Sequence, residues 1–90
     1  MTICSIAWHN DAWDDYLYWQ MQDKKTLKRI NTILKDIVRN PSALEGLGRP
    51  EMLKHDLSEC LSREIDLVNR IVYTIHKDYV LILRCRGHYG

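Results

Sequence analysis

Three side chains of this 90-residue sequence, Glu51, Arg70 and His88, form a set that can cut RNA without a metal ion. RNA carries its own nucleophile, because the ribose 2′-hydroxyl lies beside the phosphorus atom. The cut needs a base for the 2′ proton, an acid for the leaving 5′ oxygen, and a cation for the charge on the phosphoryl oxygens. A carboxylate, an imidazole and a guanidinium can fill these roles, and the planar guanidinium donates two parallel hydrogen bonds to phosphate.

The types of these residues do not by themselves establish that role. Glu51 follows a Gly/Pro-rich segment and is more readily explained as an exposed glutamate at the start of a strand. Histidine is a side chain suited to acid–base work near neutral pH, but a single histidine such as His88 is more often an ordinary surface residue. Arg70 lies in an apolar segment and needs a partner or an open cleft, so catalysis and a structural ion pair fit equally well. Tyr89 could stack on a base or pack against the chain end.

Other kinds of site are less well supported by the sequence. Cys85 and His88 have a spacing found in metal sites, but no second pair of ligands occurs at a credible spacing, so we expect no metal and no cofactor. Cys60 and His55 lack a third group that would orient them, and a small semi-buried thiol is a simpler interpretation than a nucleophile.

Composition predicts a single cytoplasmic domain over residues 1–90. A chain of this length rarely supports two cores, and its 46% hydrophobic content favours a compact fold over disorder. The longest apolar run, residues 80–83, is far shorter than the roughly 20 residues that span a bilayer, and no signal peptide is evident. The odd number of widely spaced cysteines fits a reducing compartment better than a disulfide framework.

Positive charge is concentrated in two segments, although the formal net charge is only +1. Residues 24–39 carry six basic side chains against one acid, Asp36, and the last ten residues contain Arg84, Arg86 and His88 without any acid. Such a surface could attract phosphate. A solvated basic helix face explains the first segment equally well.

The pattern of apolar residues predicts an α+β fold, with two N-terminal helices packed on a small twisted, mainly antiparallel β-sheet. Asn10 is the expected N-cap of the first helix and Asp23 that of the second, which should end before Pro41. The expected helices cover about residues 11–22 and 24–39, and the expected strands cover residues 2–8, 51–54, 62–65, 70–76 and 79–86.

Alternation along the last expected strand divides its side chains between two faces. One face should carry Leu81, Leu83 and Cys85. The other should change from apolar, at Val80 and Ile82, to basic, at Arg84 and Arg86. If the preceding strand places its arginine, at position 70, on that second face, a compact cationic patch results.

Five segments, spread in order over nearly the whole chain, form a specific set of motifs. They are WDDYLYWQ (13–20), GRPEMLKHDLS (48–58), SR (62–63), NRIVY (69–73) and CRGHY (85–89). This set resembles the Txe/YoeB branch of the RelE-type toxins. The resemblance implies a compact microbial-ribonuclease fold, a homodimer, and a metal-independent endoribonuclease that cleaves mRNA in the A site of the 70S ribosome and so inhibits translation. It also implies a YefM-like antitoxin, with operator DNA bound only by the toxin–antitoxin complex, and no membrane partner.

The same resemblance assigns the catalytic roles by matching motif. Glu51 would be the general base, His88 the general acid, and Arg70 the residue that stabilises the phosphorane-like transition state. Four further residues would bind the RNA; these are Lys54, Arg63, Arg86 and Tyr89.

The sequence departs from the family pattern next to these residues. The family usually has Ser-Arg-Arg where this chain has Ser62, Arg63 and Glu64, and Glu59 stands where glycine is usual. The added negative charge should weaken RNA binding or shift it to Lys54 and Arg63. Two alternatives therefore stay open: a catalytically weakened toxin that acts mainly as a corepressor with its antitoxin, and a small nucleic-acid-binding domain without catalysis.

Overall fold

The computed structural model describes residues 5–42, 44–53 and 59–87. Within these ranges the chain forms two helices and five strands, in an order that matches the expected one. They are β1 (Ser5–Trp8), α1 (Asn10–Gln22), α2 (Lys24–Arg39), β2 (Glu51–Met52), β3 (Leu61–Glu64), β4 (Arg70–Ile75) and β5 (Tyr79–Arg84). None of the helices in this part of the chain combines the length and apolarity needed to cross a bilayer.

The described strands form one sheet with the order β1-β5-β4-β3-β2. β1 runs parallel to β5, and the other three neighbouring pairs are antiparallel. Residues 76–78 join β4 to β5, and the His76 amide donates to the Tyr79 carbonyl at 2.9 Å. The α+β prediction, with two N-terminal helices on a mainly antiparallel sheet, is confirmed.

Both helices begin at a side chain that caps them. Asp23 caps α2 as predicted, because its Oδ1 accepts from the Thr26 amide at 3.1 Å and its Oδ2 accepts from the Thr26 hydroxyl at 2.8 Å. The prediction for α1 was wrong by one residue. His9 is the N-cap, since its Nδ1 accepts from the Asp11 amide, and Asn10 is already helical. A histidine ring nitrogen can accept this bond in the same way as the usual Asn or Asp oxygen.

We expect Asp23→Ala to lower the thermal unfolding midpoint by a few degrees, because α2 loses its cap. The hydrogen bond from the Thr26 amide lowers the pKa of Asp23 below 3.8. The capping contribution is therefore complete above that value and is lost as the pH falls through the lower folded pKa. Thermal melts between pH 2 and pH 7 should show less pH dependence for Asp23→Ala than for the parent. Asp23→Asn, which keeps an acceptor oxygen, should retain most of the stability; an equal loss in both variants would contradict the capping role.

The main core lies between the helices and one face of the sheet. The inward face of α2 packs on alternate residues of the central strands, as the three-and-four spacing of its apolar residues predicts. The α2 residues in this core are Ile30, Ile33, Leu34 and Ile37, and the sheet supplies Leu61, Ile71, Tyr73, Val80 and Ile82. A smaller cluster of Leu53, Cys60, Val72 and Leu83 lies apart from the main core. Alternation places it on the opposite sheet face, which we call the open face.

A bulge in β5 changes which side chains reach the open face. Tyr73 pairs with Ile82, but Val72 pairs with Arg84, so one extra residue stands between the two partners on β5. Because paired residues share a face, Arg84 lies on the open face with Val72. Cys85 is fully buried in the main core. The predicted grouping of Cys85 with Leu81 and Leu83 was therefore wrong, because the bulge reverses the alternation.

Candidate functional site

Arg70 lies at the start of β4 with its guanidinium between two carboxylates. Its Nη1 is 3.7 Å from Oε1 of Glu51, and its Nη2 is 3.3 Å from Oε1 of Glu64. The side chain of Arg70 is 19% exposed and that of Glu51 is 50% exposed, so the pair is open to a ligand from solvent. Two of the three residues predicted to be catalytic are thus neighbours on the open face.

Glu51 reaches this position because the preceding loop is held on β3. The Glu64 amide donates to the Gly48 carbonyl, and Gly48 has a φ of +78°. A Cβ at this glycine would lie 2.7 Å from the Glu64 carbonyl oxygen, so a side chain would force the loop away from β3. Pro50 is buried, and Glu51 follows it at the start of β2, opposite Ser62 of β3.

Gly87 is fastened next to Arg70 by two hydrogen bonds of its own backbone groups. The Arg70 amide donates to the Gly87 carbonyl at 3.1 Å, and the Gly87 amide donates to Oδ1 of Asn69 at 2.8 Å. Asn69 is itself held by Asp66, because the Asn69 backbone amide donates to Oδ1 of Asp66 at 2.7 Å. The residue that precedes His88 in the sequence is therefore fixed at the backbone of Arg70.

Asn69 was not among the sequence-predicted site residues. Its position in the connection between two strands, three residues after Asp66, is typical of an Asx-type turn and was the available signal. Glu64 was noticed only as a departure from the family pattern, and its contact with Arg70 was not foreseen. The contact depends on strand register, which pairs Glu64 with Arg70.

Three predicted site residues, Lys54, His88 and Tyr89, lie outside the described residues. Their roles stay predictions.

Arg63 does not lie at the candidate site. Alternation along β3 turns it toward the helices, where it is fully buried. Its Nη1 pairs with Oδ2 of Asp36 and donates to the Leu47 carbonyl at 3.2 Å, while its Nε donates to the Tyr73 hydroxyl at 3.1 Å. The expectation that Arg63 contacts RNA does not fit this placement, because a buried guanidinium offers RNA no surface. Arg63 instead ties β3 and β4 to α2.

Arg86 is exposed, as an RNA-binding residue must be. Its Cζ lies 3.6 Å from the centre of the Tyr18 ring, a cation–π contact that orients the guanidinium on α1. Arg84 is also exposed, and it shares the open face with Arg70. Part of the predicted cationic patch therefore forms, although its face contains Leu81 and Leu83 instead of Val80 and Ile82.

The described residues contain no cluster of three or more His, Cys, Asp or Glu side chains arranged to hold a metal ion. The Glu51 carboxylate beside Arg70 can accept a proton, and the Arg70 guanidinium can bind an anion.

The chain is similar to known proteins over nearly its whole length. A family model described as "YoeB-like toxin of bacterial type II toxin-antitoxin system" matches residues 8–89. A curated relative, toxin YoeB of Escherichia coli O6:H1, is 50% identical over 84 residues, which cover 93% of this chain and 98% of the relative.

Solved structures give the same result. The YoeB dimer of Staphylococcus aureus matches with a TM-score of 0.86 at 45% identity, over 94% of this chain and 97% of that one. The heterotetrameric YoeB–YefM complex of Staphylococcus aureus contains a chain that matches with a TM-score of 0.86 at 43% identity, over 99% of this chain and all of that one.

Proposed function

Because this chain belongs to the YoeB-like toxin family of bacterial type II toxin–antitoxin systems, we propose that it is a ribosome-dependent mRNA endoribonuclease. A single cytoplasmic domain over residues 1–90 cleaves mRNA in the ribosomal A site and thereby inhibits translation. The observation that carries the proposal is the placement of the Arg70 guanidinium 3.7 Å from the Glu51 carboxylate, beside the anchored Gly87.

The reaction uses the side chains of this chain and the ribose of the substrate. The Glu51 carboxylate takes the proton of the 2′-hydroxyl, and the 2′ oxygen attacks the neighbouring phosphorus. Arg70 binds the phosphoryl oxygens while negative charge builds on them. His88 donates a proton to the 5′ oxygen as the P–O5′ bond breaks. The products are a 2′,3′-cyclic phosphate and a 5′-hydroxyl, and the proton balance is complete without a metal ion or a cofactor.

Binding of the RNA is assigned to residues around this centre. Arg86 is exposed and already oriented by Tyr18, which lowers the entropy lost when it binds phosphate. Lys54 holds phosphate, and Tyr89 stacks on a base. Arg84, which the sequence placed in the cationic patch, adds positive charge on the open face.

Removal of the proposed acid tests the function. We expect His88→Ala to slow single-turnover cleavage of mRNA in a translating extract by about 10²- to 10⁴-fold, because proton transfer to the leaving oxygen is lost. His76→Ala is the matched control, since His76 is exposed beyond the far end of β4 and its removal should not change the rate. Equal cutting by His88→Ala and the parent would contradict the proposal.

A catalytically weakened toxin that acts mainly as a corepressor is the second candidate. The contact of Glu64 with Arg70 favours this second candidate, because the Glu64 carboxylate occupies part of the guanidinium that would bind the phosphate. This candidate predicts that the parent cuts mRNA no faster than His88→Ala, while its complex with the antitoxin still binds operator DNA tightly.

The proposed partners are a YefM-like antitoxin, the 70S ribosome with its mRNA, and a second copy of this chain, with operator DNA bound only by the toxin–antitoxin complex. The Staphylococcus aureus relatives, described as a YoeB dimer and a YoeB–YefM complex, support the protein partners. α1 also leaves apolar side chains exposed along one side, with Trp13 45%, Leu17 38% and Met21 81% exposed. Apolar helix surfaces of this kind are commonly buried by another protein.

A further inference from the structure

We propose that Glu64 is an intramolecular competitor for the scissile phosphate. Its carboxylate holds the end of the Arg70 guanidinium that binds phosphoryl oxygens, and RNA must displace it. This inference rests on the proposed function, since it describes how substrate gains access to the same arginine.

The contact is built into the register of the sheet. Glu64 and Arg70 are Cα partners where β3 and β4 meet the 65–69 connection, so their side chains leave the same face side by side. Oε1 of Glu64 lies 3.3 Å from Nη2 of Arg70, with the two side chains 28% and 19% exposed. Glu64 is also held at its backbone, because its amide donates to the Gly48 carbonyl.

A phosphate that approaches Arg70 meets carboxylates at both ends of the guanidinium. Glu51 is near Nη1 and Glu64 is near Nη2, and the favoured geometry for phosphate uses two parallel N–H donors. Glu51 has a chemical task at this position, because it accepts the 2′ proton. Glu64 has no step in the reaction, so its carboxylate only occupies a donor and repels the incoming anion.

Replacement of the Glu64 carboxylate by an RNA phosphate at the Arg70 guanidinium should change the free energy only a little. The carboxylate and the RNA phosphodiester each carry one negative charge, and a partly exposed ion pair is weak enough to be displaced. Competition from Glu64 should weaken the binding of free RNA most. An mRNA already positioned by the ribosome has a high effective concentration at the site and displaces Glu64 more readily.

Binding of an RNA that cannot be cut tests the inference with the full chain. We expect Glu64→Gln, which keeps the shape and removes the charge, to bind a short RNA with a 2′-deoxy nucleotide at the scissile position about threefold to tenfold more tightly. Glu45→Gln is the matched control, because it makes the same charge change in the exposed loop before β2. Its affinity should stay within about twofold of the parent. A second neutral variant, Glu64→Thr, has a residue suited to a strand and should behave like Glu64→Gln.

The kinetic signature separates competition from a positioning role. In single-turnover cleavage, loss of a competitor lowers the RNA concentration at half-maximal rate and leaves the maximal rate within about threefold of the parent. A maximal rate that falls tenfold or more in both Glu64 variants would overturn the proposal, because Glu64 would then be holding Arg70 in its productive position. Affinity that is unchanged, weaker, undetectable in every variant, or raised equally by Glu45→Gln would also overturn it. The binding assay needs no cleavage, so its result stands apart from failure of the nuclease proposal.

Discussion

Arg70→Ala is expected to slow cleavage of ribosome-bound mRNA by about 10²- to 10³-fold, the usual loss when a preorganised donor to a developing anion is removed. The guanidinium is the cation that the structure places beside the Glu51 carboxylate, at 3.7 Å. Its ion pairs are partly exposed, so its removal should alter the free energy of unfolding by only about 1 kcal/mol. Single-turnover rates with saturating programmed ribosomes, together with circular dichroism of each variant, measure the two effects separately.

Two further variants define the cause of that loss. Arg70→Lys keeps the charge but not the planar fork of donors, and it should recover only part of the rate. Arg84→Ala removes the same charge from the same sheet face, on the neighbouring strand β5, and should have a much smaller effect. If Arg84→Ala is as slow as Arg70→Ala, general electrostatic attraction explains the loss and the catalytic assignment of Arg70 is wrong.

Asp36→Ala is expected to lower the free energy of unfolding by about 3–5 kcal/mol, because it leaves the fully buried Arg63 guanidinium without its counter-ion. The Tyr73 hydroxyl and the Leu47 carbonyl would still accept from Arg63, but neither carries a compensating charge. The free energy of unfolding of a small domain is only about 5–15 kcal/mol, so the variant should lose a substantial share of its stability. Urea unfolding measured through tryptophan fluorescence checks this.

Removing both members of the pair should restore much of the stability. Asp36→Leu combined with Arg63→Met replaces the buried guanidinium and its partly exposed counter-ion by apolar groups, and such exchanges are often neutral or stabilising. The control for Asp36→Ala is Asp14→Ala, which removes an exposed acid from α1. A loss in Asp36→Ala no greater than that in the control would contradict a structural role for the pair.

The Asp36–Arg63 ion pair also makes the free energy of unfolding depend on pH in the acid range. The hydrogen bond from the Arg63 guanidinium holds the pKa of Asp36 below 3.8. A lowered folded pKa gives a contribution that is complete above the unfolded value and is lost as the pH falls through the folded value. The parent should therefore lose stability more steeply below pH 3.8 than the doubly substituted protein.

Local signals in the sequence predicted the helices well. α2 begins at the Asp23 cap and ends before Asn40 and Pro41, and each of these boundaries depends on residues within one helical turn. The choice of His9 over Asn10 as the cap of α1 was missed because adjacent polar residues can serve equally well. The sheet decides which of the two residues becomes the cap. The His9 amide donates to the Ile82 carbonyl of β5, and this bond holds His9 at the start of α1.

Features that depend on strand register could not be predicted from the sequence. One extra residue in β5 moves Cys85 into the core and Arg84 onto the open face, and no local sequence signal announces that bulge. The burial of Arg63 follows from the same kind of fact. The face to which the Arg63 side chain points depends on which alternate residues of β3 face the helices, and its partner Asp36 is 27 positions away in sequence.

The candidate site was predicted as a set of residues and not as a geometry. The resemblance to the family assigned roles to Glu51 and Arg70, and the structure places them together. It could not supply the contact of Glu64 with Arg70, because the family usually has an arginine at that position. Nor could it supply the hydrogen bonds that fasten Gly87 beside Arg70, which join residues 17 and 18 positions apart.

The most direct measurement concerns the nucleophile. A programmed ribosome is given an mRNA whose A-site codon carries a single 2′-deoxy nucleotide at the position normally cut, beside an otherwise identical all-ribose mRNA. We predict that the all-ribose mRNA yields a 2′,3′-cyclic phosphate and a 5′-hydroxyl, and that the substituted mRNA is not cut at that position. Cleavage of both mRNAs at the same site and rate would contradict 2′-hydroxyl attack, and with it the roles proposed for Glu51, Arg70 and His88.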